Sequence, residues 1–171
     1  RGFREVTIDD VAEAAGVSAR TLFRYFPSKD DFLLGMPRRG TDRLVARIQL
    51  LAPSDTPEQA AWDVILQGFA ADPPDASTMN LWRAAATGAP DVVAKVTGER
   101  VQRLYVALAD YFARSLGVDL HDDPLPRVMA GGMVGVEYAL LETLGRSTAD
   151  LPQIIEAAGR ALHVSPRPTT G

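Results

Sequence analysis

Two short helical segments, separated only by Gly16, Val17 and Ser18, constrain the fold of this chain more than any other feature of its sequence. The spacing of Thr7 and Asp10 predicts a capping box, and the apolar residues at positions 8, 11, 12 and 15 then form one face of a helix. Gly16 can adopt the left-handed conformation that ends such a helix, and Ser18 can cap the next one. The pattern therefore predicts a helix-turn-helix, in which two helices are joined by a tight turn containing glycine.

The second of these helices has the composition of an element that reads DNA. In a helix-turn-helix the second helix enters the major groove, where base edges lie between two rows of phosphates. Guanidinium, hydroxyl and aromatic groups suit such a groove. The residues expected on or beside the outward face are Ala19, Arg20, Thr21, Phe23, Arg24 and Tyr25. Leu22 and Phe26 are expected to face the core instead.

The charge of the chain is unevenly distributed. Its net charge of −4 argues against a uniformly basic surface for nucleic acid. Residues 1–50 nevertheless hold nine Lys and Arg against seven Asp and Glu, whereas residues 51–171 hold nine against fifteen. Arg20, Arg24 and Lys29 follow Gly16 with no acidic residue among them. The positive charge is therefore concentrated on the helix that is predicted to meet DNA.

The rest of the chain also reads as helix, because no segment alternates polar and β-branched residues with the period of a strand. Prolines and glycines divide the sequence, and Pro37, Gly40, Pro90 and Gly98 are expected to kink or break helices. The predicted fold class is all-α. The predicted helices are 8–15, 19–25, 29–51, 57–71, 76–87, 91–116, 124–144 and 150–162.

The N-terminal segment 2–35 resembles the DNA-binding segment of the TetR family of repressors. The residues that match that family in order and spacing are Gly2, Phe3, Thr7, Val11, Ala12, Ala15, Gly16, Val17, Ser18, Thr21, Leu22, Phe23, Tyr25, Phe26, Ser28 and Lys29. Arg20 stands where the family often has glycine, Phe23 replaces a common tyrosine and Tyr25 a common histidine. The family also has a full helix before Gly2, so we expect further residues to precede this sequence in the complete protein.

The resemblance implies a homodimeric, ligand-responsive repressor that binds a double-stranded, pseudo-palindromic DNA operator. It implies a DNA-binding domain at 1–45 and a helical effector-binding and dimerisation domain at 46–163. The Pro- and Thr-rich composition of residues 164–171 predicts a flexible tail, and the absence of cysteine fits a location in the reducing cytoplasm. Carried over to this sequence, Thr7 and Lys29 would contact phosphate, and the full set of DNA-contacting residues would be Thr7, Ser18, Ala19, Arg20, Thr21, Phe23, Arg24, Tyr25 and Lys29.

Several of these residues also have a purely structural interpretation. Thr7 and Ser18 could act as helix caps only. Phe23 could pack on the first helix. Lys29 could be a solvated residue at a helix start, although a cation there opposes the helix dipole, which favours a phosphate contact.

The larger domain carries the predicted effector pocket and dimer interface. Aromatic and methionine residues at helical spacing usually form core, but in the TetR family an apolar pocket lies among the central helices. The expected lining is Trp62, Phe69, Trp82, Arg83, Tyr105, Met129 and Met133. Glycines inside a helix permit close helix packing, and the family pairs its last two long helices across a dyad. The expected interface is Val128, Gly132, Val136, Leu140, Leu151, Ile155, Ala158 and Leu162, with ordinary intrachain packing as the alternative.

Two other classes of function remain open at this stage. One is a TetR-like helical protein that binds a small molecule but no operator, and the other is a helical-bundle enzyme. The absence of cysteine excludes disulfides, zinc–thiolate sites and a cysteine nucleophile. His121 lies in an acidic loop typical of a solvated segment, and no phosphate-binding, dinucleotide-binding or nucleophile motif occurs. We therefore expect no enzyme activity, no cofactor, no metal site and no membrane partner.

Overall fold

The computed structural model describes residues 2–70, 76–146 and 151–163, and this part of the chain is helical without strands. The all-α prediction is confirmed. The helices are α1 (Ile8–Ala15), α2 (Ala19–Tyr25), α3 (Asp30–Gln49), α4 (Pro57–Ala70), α5 (Ala76–Thr87), α6 (Pro90–Leu116), α7 (Leu125–Arg146) and α8 (Leu151–Ala161). Within the same described residues, no helix is both long and apolar enough to cross a membrane.

The observed helix ends lie within two residues of the predicted ones, but the expected break of the sixth helix is wrong. Pro90 is the first residue of α6, a position where its missing N–H costs nothing. The helix then continues through Gly98. α3 likewise continues through Pro37 and Gly40. The predicted tail at 164–171 lies outside the described residues.

The chain divides into two compact units. The first unit comprises Arg1–Gly40 with Pro74–Glu99, and the second comprises Thr41–Pro73 with Arg100–Gly171. A later segment of the chain thus clusters with the N-terminal helices. The domain boundary at residue 45 stays a prediction. Two of the three boundaries between the units fall within long helices, one in α3 after Gly40 and one in α6 after Glu99.

The first unit has its own apolar core, formed by α3 with α5 and the start of α6. The buried residues of this core are Leu33, Leu34, Ala89, Val92 and Val96, and Phe3 and Trp82 pack against them. Polar contacts reinforce the same arrangement. Arg4 donates to the carbonyl of Gly88 at 3.1 Å and forms an ion pair with Asp91. The first turns of the chain are thus held to the α5–α6 junction.

The second unit is built on a larger core contributed by α4, α6 and α7 with the second half of α3. Its fully buried large side chains include Ile48, Trp62, Ile65, Leu104, Leu108, Tyr111, Phe112, Met133 and Leu140. α8 packs on α7 and contributes partly buried residues to the same cluster. Burial of side chains of this size is the main stabilising contribution, at about 1.5–3 kcal/mol for each one fully buried.

A buried ion pair connects three helices of the second unit. Glu137 of α7 is only 1% exposed, and its Oε1 accepts from Nε and Nη2 of Arg100 on α6. Nη1 of Arg100 donates to the hydroxyl of Thr41 on α3 at 3.1 Å. Each charge depends on the other, because an unpaired charge in this environment would lack both water and a counterion.

We expect Glu137→Ala to destabilise the protein by about 3 kcal/mol, because it leaves the Arg100 guanidinium without its partner. Asp42→Ala is the matched control, since Asp42 pairs with Arg103 through side chains that are 59% and 44% exposed. That change should cost about 1 kcal/mol or less. Urea unfolding at neutral pH measures both. Equal losses in the two variants would contradict a special role for the buried pair.

Candidate DNA-binding surface

α1 is defined at both ends by the capping residues that its sequence predicts. The Thr7 hydroxyl accepts from the N–H of Asp10 at 3.1 Å, and Oδ2 of Asp10 accepts from the N–H of Thr7 at 2.8 Å. At the other end Gly16 has φ +67°, and its N–H donates to the carbonyls of Ala12 and Glu13. These contacts fix the length of α1 and the direction in which the chain leaves it.

The turn after Gly16 places the start of α2. The N–H of Val17 also donates back to the carbonyl of Ala12, at 3.0 Å, so two consecutive residues close the end of α1. Oγ of Ser18 accepts from the N–H of Thr21 at 3.2 Å and lies 2.9 Å from the Thr21 hydroxyl. α1 and α2 therefore form the tight helix-turn-helix that the caps predict.

α2 buries one side and exposes the side predicted to read DNA. Leu22 is buried, whereas Phe23 is 50% exposed and Tyr25 65% exposed. Arg20 and Arg24 are exposed as well. A phenyl ring half open to solvent is unusual in a helix with an apolar core beside it, so the interpretation of Phe23 as packed on α1 is not favoured.

The two arginines of α2 differ in their surroundings. Nη2 of Arg24 donates to the Tyr25 hydroxyl at 3.0 Å, and its guanidinium carbon lies 4.8 Å from the Tyr25 ring centroid. Arg20 has no ion-pair or hydrogen-bond partner within residues 2–70, 76–146 and 151–163. Arg24 is thus pre-arranged by its neighbour, while the Arg20 guanidinium is available to a ligand.

Three of the remaining predicted contact residues are less open, whereas Thr7 and Ser18 are exposed. Ala19 and Thr21 are half-buried, and the Thr21 hydroxyl is shared with Ser18. Lys29 is also half-buried, with its Nζ donating to the carbonyl of Arg4 at 3.1 Å and lying 4.9 Å from the Phe3 ring centroid. In this arrangement Lys29 closes the N-terminal turn onto the start of α3.

The end of α2 is attached firmly to α3. The ring of Phe26, the residue that caps α2, stacks on Phe32 with centroids 4.5 Å apart. Oδ2 of Asp31 accepts from the Ser28 N–H at 2.8 Å and from its hydroxyl at 2.7 Å. Arg38 donates to the other oxygen of Asp31 at 2.7 Å. The position of α2 therefore follows the first turn of α3.

Comparison with known proteins supports the interpretation of α1 and α2 as a helix-turn-helix. A family model described as "Bacterial regulatory proteins, tetR family" matches residues 1–36. The N-terminal segment of this chain is therefore similar to the tetR family. That segment contains α1, α2 and the first turns of α3, which are the helices of the surface described above.

The curated relatives that match are also transcriptional regulators by name. The "HTH-type transcriptional regulator EthR" of Mycobacterium tuberculosis and that of Mycobacterium bovis are each 36% identical over 64 residues, which is 36% of this chain and 30% of EthR. A protein provisionally named the mycofactocin biosynthesis transcriptional regulator MftR, from Mycobacterium tuberculosis, is 59% identical over 29 residues, 17% of this chain and 15% of MftR. The alignments thus span less than a third of each relative.

The residues predicted to line an effector pocket lie in different parts of the chain. Trp62 and Met133 are buried in the core of the second unit, and Tyr105 and Met129 pack partly buried against it. Trp82 and Arg83 belong to the first unit. Trp82 donates to a backbone carbonyl of α3, and Arg83 is exposed. The side chain of Phe69 lies outside the described part of the structure.

An open groove of about 570 Å³ lies elsewhere in the second unit, where α6 ends. It is lined by Asp110, Ala113, Arg114, Gly117, Val118, Asp119 and Leu120, and so by none of the residues predicted for the pocket. Two buried donors of this unit, Nε1 of Trp62 and the hydroxyl of Tyr111, have no hydrogen-bond partner among the described residues.

The residues predicted for a dimer interface also divide into groups. On α7, Val128 is 67% exposed and Gly132 is exposed, whereas Val136 is half-buried. Leu140 is 1% exposed and belongs to the core of the single chain. On α8, Ile155, Ala158 and Leu162 are partly buried against the second-unit core, and the side chain of Leu151 lies outside the described part.

Sequence reasoning missed the contribution of α5 and the start of α6 to this surface. Contacts from Arg4 to Gly88 and Asp91 hold the N-terminal turn in place, although these two residues lie 84 and 87 positions after Arg4 in the sequence. No local pattern signals such a contact. The doubled Ser28–Asp31 contact, by contrast, follows from a capping-box spacing.

The hydrogen bond from the Ser28 hydroxyl lowers the pKa of Asp31 from its usual value of 3.8; burial opposes it, and Arg38 contributes in the same direction as Ser28. Ionised Asp31 therefore stabilises the fold at pH values above 3.8, and this contribution is lost as the pH falls through the lower pKa of the folded state. We expect Asp31→Asn to reduce stability at pH 7 and to have a diminishing effect below pH 3.8.

Unfolding of Asp31→Asn and of the unchanged protein by urea between pH 7 and pH 3 measures this difference. Ser28→Ala supplies an independent check, because removal of the hydroxyl should raise the pKa of the Asp31 carboxyl in an NMR titration. A stability difference that stays constant across the range would contradict the assignment.

Proposed function

We propose that this chain is a DNA-binding transcriptional regulator, and that it acts as a ligand-responsive repressor in the form of a homodimer on a pseudo-palindromic operator. The observation that carries the proposal is the outward face of α2. This face combines two exposed guanidinium groups, an exposed phenyl ring and an exposed phenol on a seven-residue helix. The tetR-family match over residues 1–36 supports it.

Each group on this face has a specific role in DNA binding. Arg20, in the first turn of the helix, is free to donate two hydrogen bonds to the O6 and N7 atoms of guanine. The ring of Phe23 offers an apolar surface to a thymine methyl group. Arg24 and the Tyr25 hydroxyl are suited to phosphate, which sets position and carries no sequence information.

The exposed face of α7 supports a homodimer. Along this face lie Leu125, Val128, Gly131, Gly132, Gly135 and Tyr138, all exposed. A Cβ placed on any of the three glycines would meet no atom within 4 Å. Each glycine costs about 1 kcal/mol relative to alanine in a helix. Close approach by the same face of a second copy would explain why glycines are present here. The twofold axis of such a dimer would bring two α2 helices to one operator.

Ligand control is supported by the two unpaired donors of the second unit. A buried donor without an acceptor costs about 1–3 kcal/mol, so proteins usually pair such groups. A mainly apolar effector that carries one hydrogen-bond acceptor would pair Trp62 or Tyr111. Its binding would lower operator affinity, and by linkage operator DNA would lower the affinity for the effector by the same factor.

Selection of bound sequences from a random pool of duplexes, with full-length purified protein, tests the proposal. Enrichment of an inverted repeat is the expected result. A protein that is folded and dimeric but enriches no sequence would contradict operator binding. It would favour the alternative of a small-molecule-binding protein of the same fold, which thermal stabilisation by candidate metabolites would then reveal.

Arg20→Ala should weaken binding to the selected operator by roughly 10- to 100-fold and relax the preference at one base pair, since a bidentate contact discriminates by about 1–3 kcal/mol. Arg24→Ala is the matched control on the same helix. It should weaken binding to selected and random duplexes alike and reduce the dependence of affinity on salt. Fluorescence anisotropy with both duplexes measures the difference, and an equal loss on both for Arg20→Ala would remove Arg20 from the base-reading role.

Gly132→Leu should shift the dimer towards monomer, because its side chain fits the single chain but obstructs close approach of a second α7. Gly98→Leu is the matched control, since Gly98 is also exposed within a helix with no atom near an added Cβ. Sedimentation velocity across a range of concentrations measures association. If Gly132→Leu associates as tightly as Gly98→Leu, this face of α7 is not the interface.

A further inference from the structure

Pro37 leaves a backbone carbonyl of α3 without its usual donor. In an α-helix the carbonyl of residue i accepts from the N–H of residue i+4, so the carbonyl of Leu33 would accept from residue 37. Proline has no N–H, and its ring also crowds the carbonyl four residues earlier. α3 nevertheless continues from Asp30 to Gln49, so this acceptor needs a donor from outside the helix.

Trp82 of α5 supplies that donor. Its Nε1 donates to the carbonyl oxygen of Leu33 at 2.9 Å. Its ring packs, partly buried, against the core that contains Leu33, Ala89 and Val92. The indole is a donor without acceptor capacity, and its rigid ring aligns one N–H while it also buries apolar area. The side chain thus replaces the hydrogen bond that Pro37 omits.

We propose that Trp82 is a positioning residue for the DNA-reading helix, through the hydrogen bond that it donates where Pro37 interrupts the backbone pairing of α3. The proposal rests on the proposed function for its effect on DNA binding. The same bond makes α5 the element that holds this turn of α3, in place of an intrahelical contact.

The position of α3 is passed on to α2 by contacts within the first unit. Phe32 directly precedes Leu33, and its ring stacks on Phe26, which caps α2. Two residues before Leu33, Asp31 holds Ser28 in the connection between the helices. A shift of α5 that breaks the Trp82 bond therefore acts within one helical turn of the residues that place α2. A substitution at Trp82 should be felt on the DNA-reading face although it lies outside that face.

The test is a double-mutant cycle of Trp82→Phe and Pro37→Ala. Trp82→Phe removes the donor and keeps an aromatic ring. Pro37→Ala restores the intrahelical N–H for the Leu33 carbonyl. If Trp82 acts by donating to this carbonyl, then Trp82→Phe should weaken DNA binding and lower Tm while Pro37 is present. Both effects should be much smaller once Pro37→Ala has been introduced.

The first readout is affinity for the duplex that the unchanged protein enriches from a random pool, measured well below the unfolding temperature. We expect Trp82→Phe to weaken binding by roughly 3- to 10-fold, in line with the loss of one hydrogen bond to a buried acceptor. In the Pro37→Ala background, most of that loss should disappear. Unchanged affinity of Trp82→Phe, or an equal loss in both backgrounds, would overturn the proposal.

The second readout needs no DNA. Trp82→Phe should lower Tm by about 2–8 °C in the otherwise unchanged protein and by clearly less in the Pro37→Ala background. Trp62→Phe is the matched control, because the other tryptophan of the chain donates its N–H to no described residue. Its effect on Tm should be the same in both backgrounds. Equal effects of Trp82→Phe in the two backgrounds would exclude the exchange of donors.

The two readouts separate this proposal from the proposed function. If the unchanged protein enriches no duplex, operator binding fails, and the role of Trp82 in placing a DNA-reading helix fails with it, while the Tm cycle still decides the hydrogen bond between Trp82 and Leu33. If the protein binds a selected duplex and the affinity cycle is additive, the proposed function stands and the positioning role of Trp82 is wrong.

Discussion

The first unit depends on hydrogen bonds to backbone N–H and carbonyl groups that have no partner within their own helix. Thr7 and Ser18 pair N–H groups where α1 and α2 begin, and Gly16 pairs carbonyls where α1 ends. Trp82 donates to the carbonyl of Leu33, near the start of α3, which Pro37 leaves without its usual backbone donor. An unpaired backbone group shielded from water is costly, so each of these contacts fixes a geometry as well as an energy. Together, these hydrogen bonds set the orientation of α2.

The basic side chains of the first unit differ in whether the chain itself supplies their partners. Two arginines of the first unit outside α2 are held by the chain, Arg4 at the α5–α6 junction and Arg38 between Asp31 and Glu99. Arg20 is without such a partner among the described residues. A protein with a net charge of −4 can still carry a locally positive surface, because Arg20, Arg24 and Lys29 have no acidic residue among them in the sequence. Lys29 is positioned by uncharged partners instead, since its ammonium group donates to the carbonyl of Arg4 and lies over the ring of Phe3.

The second unit combines a large buried core with apolar residues and glycines that are exposed on its surface. The pair of Arg100 and Glu137 places polar chemistry inside it and connects three helices. The glycines of α7 leave one face of that helix flat and open. Together with the unpaired donors of Trp62 and Tyr111, these features are departures from a simple packed bundle, and departures of this kind concentrate where proteins bind partners.

The sequence by itself determined the helices and the local geometry of the candidate DNA-binding surface. Capping boxes, apolar periodicity and a glycine at a helix end involve residues within four positions of one another, so Thr7, Gly16, Ser18 and the exposed face of α2 could be predicted. Only the tertiary structure decided that residues 74–99 join the first unit and that Leu140 belongs to the core. It also decided that Trp82 donates its indole N–H to the carbonyl of Leu33. These outcomes depend on contacts between residues tens of positions apart, which no local pattern encodes.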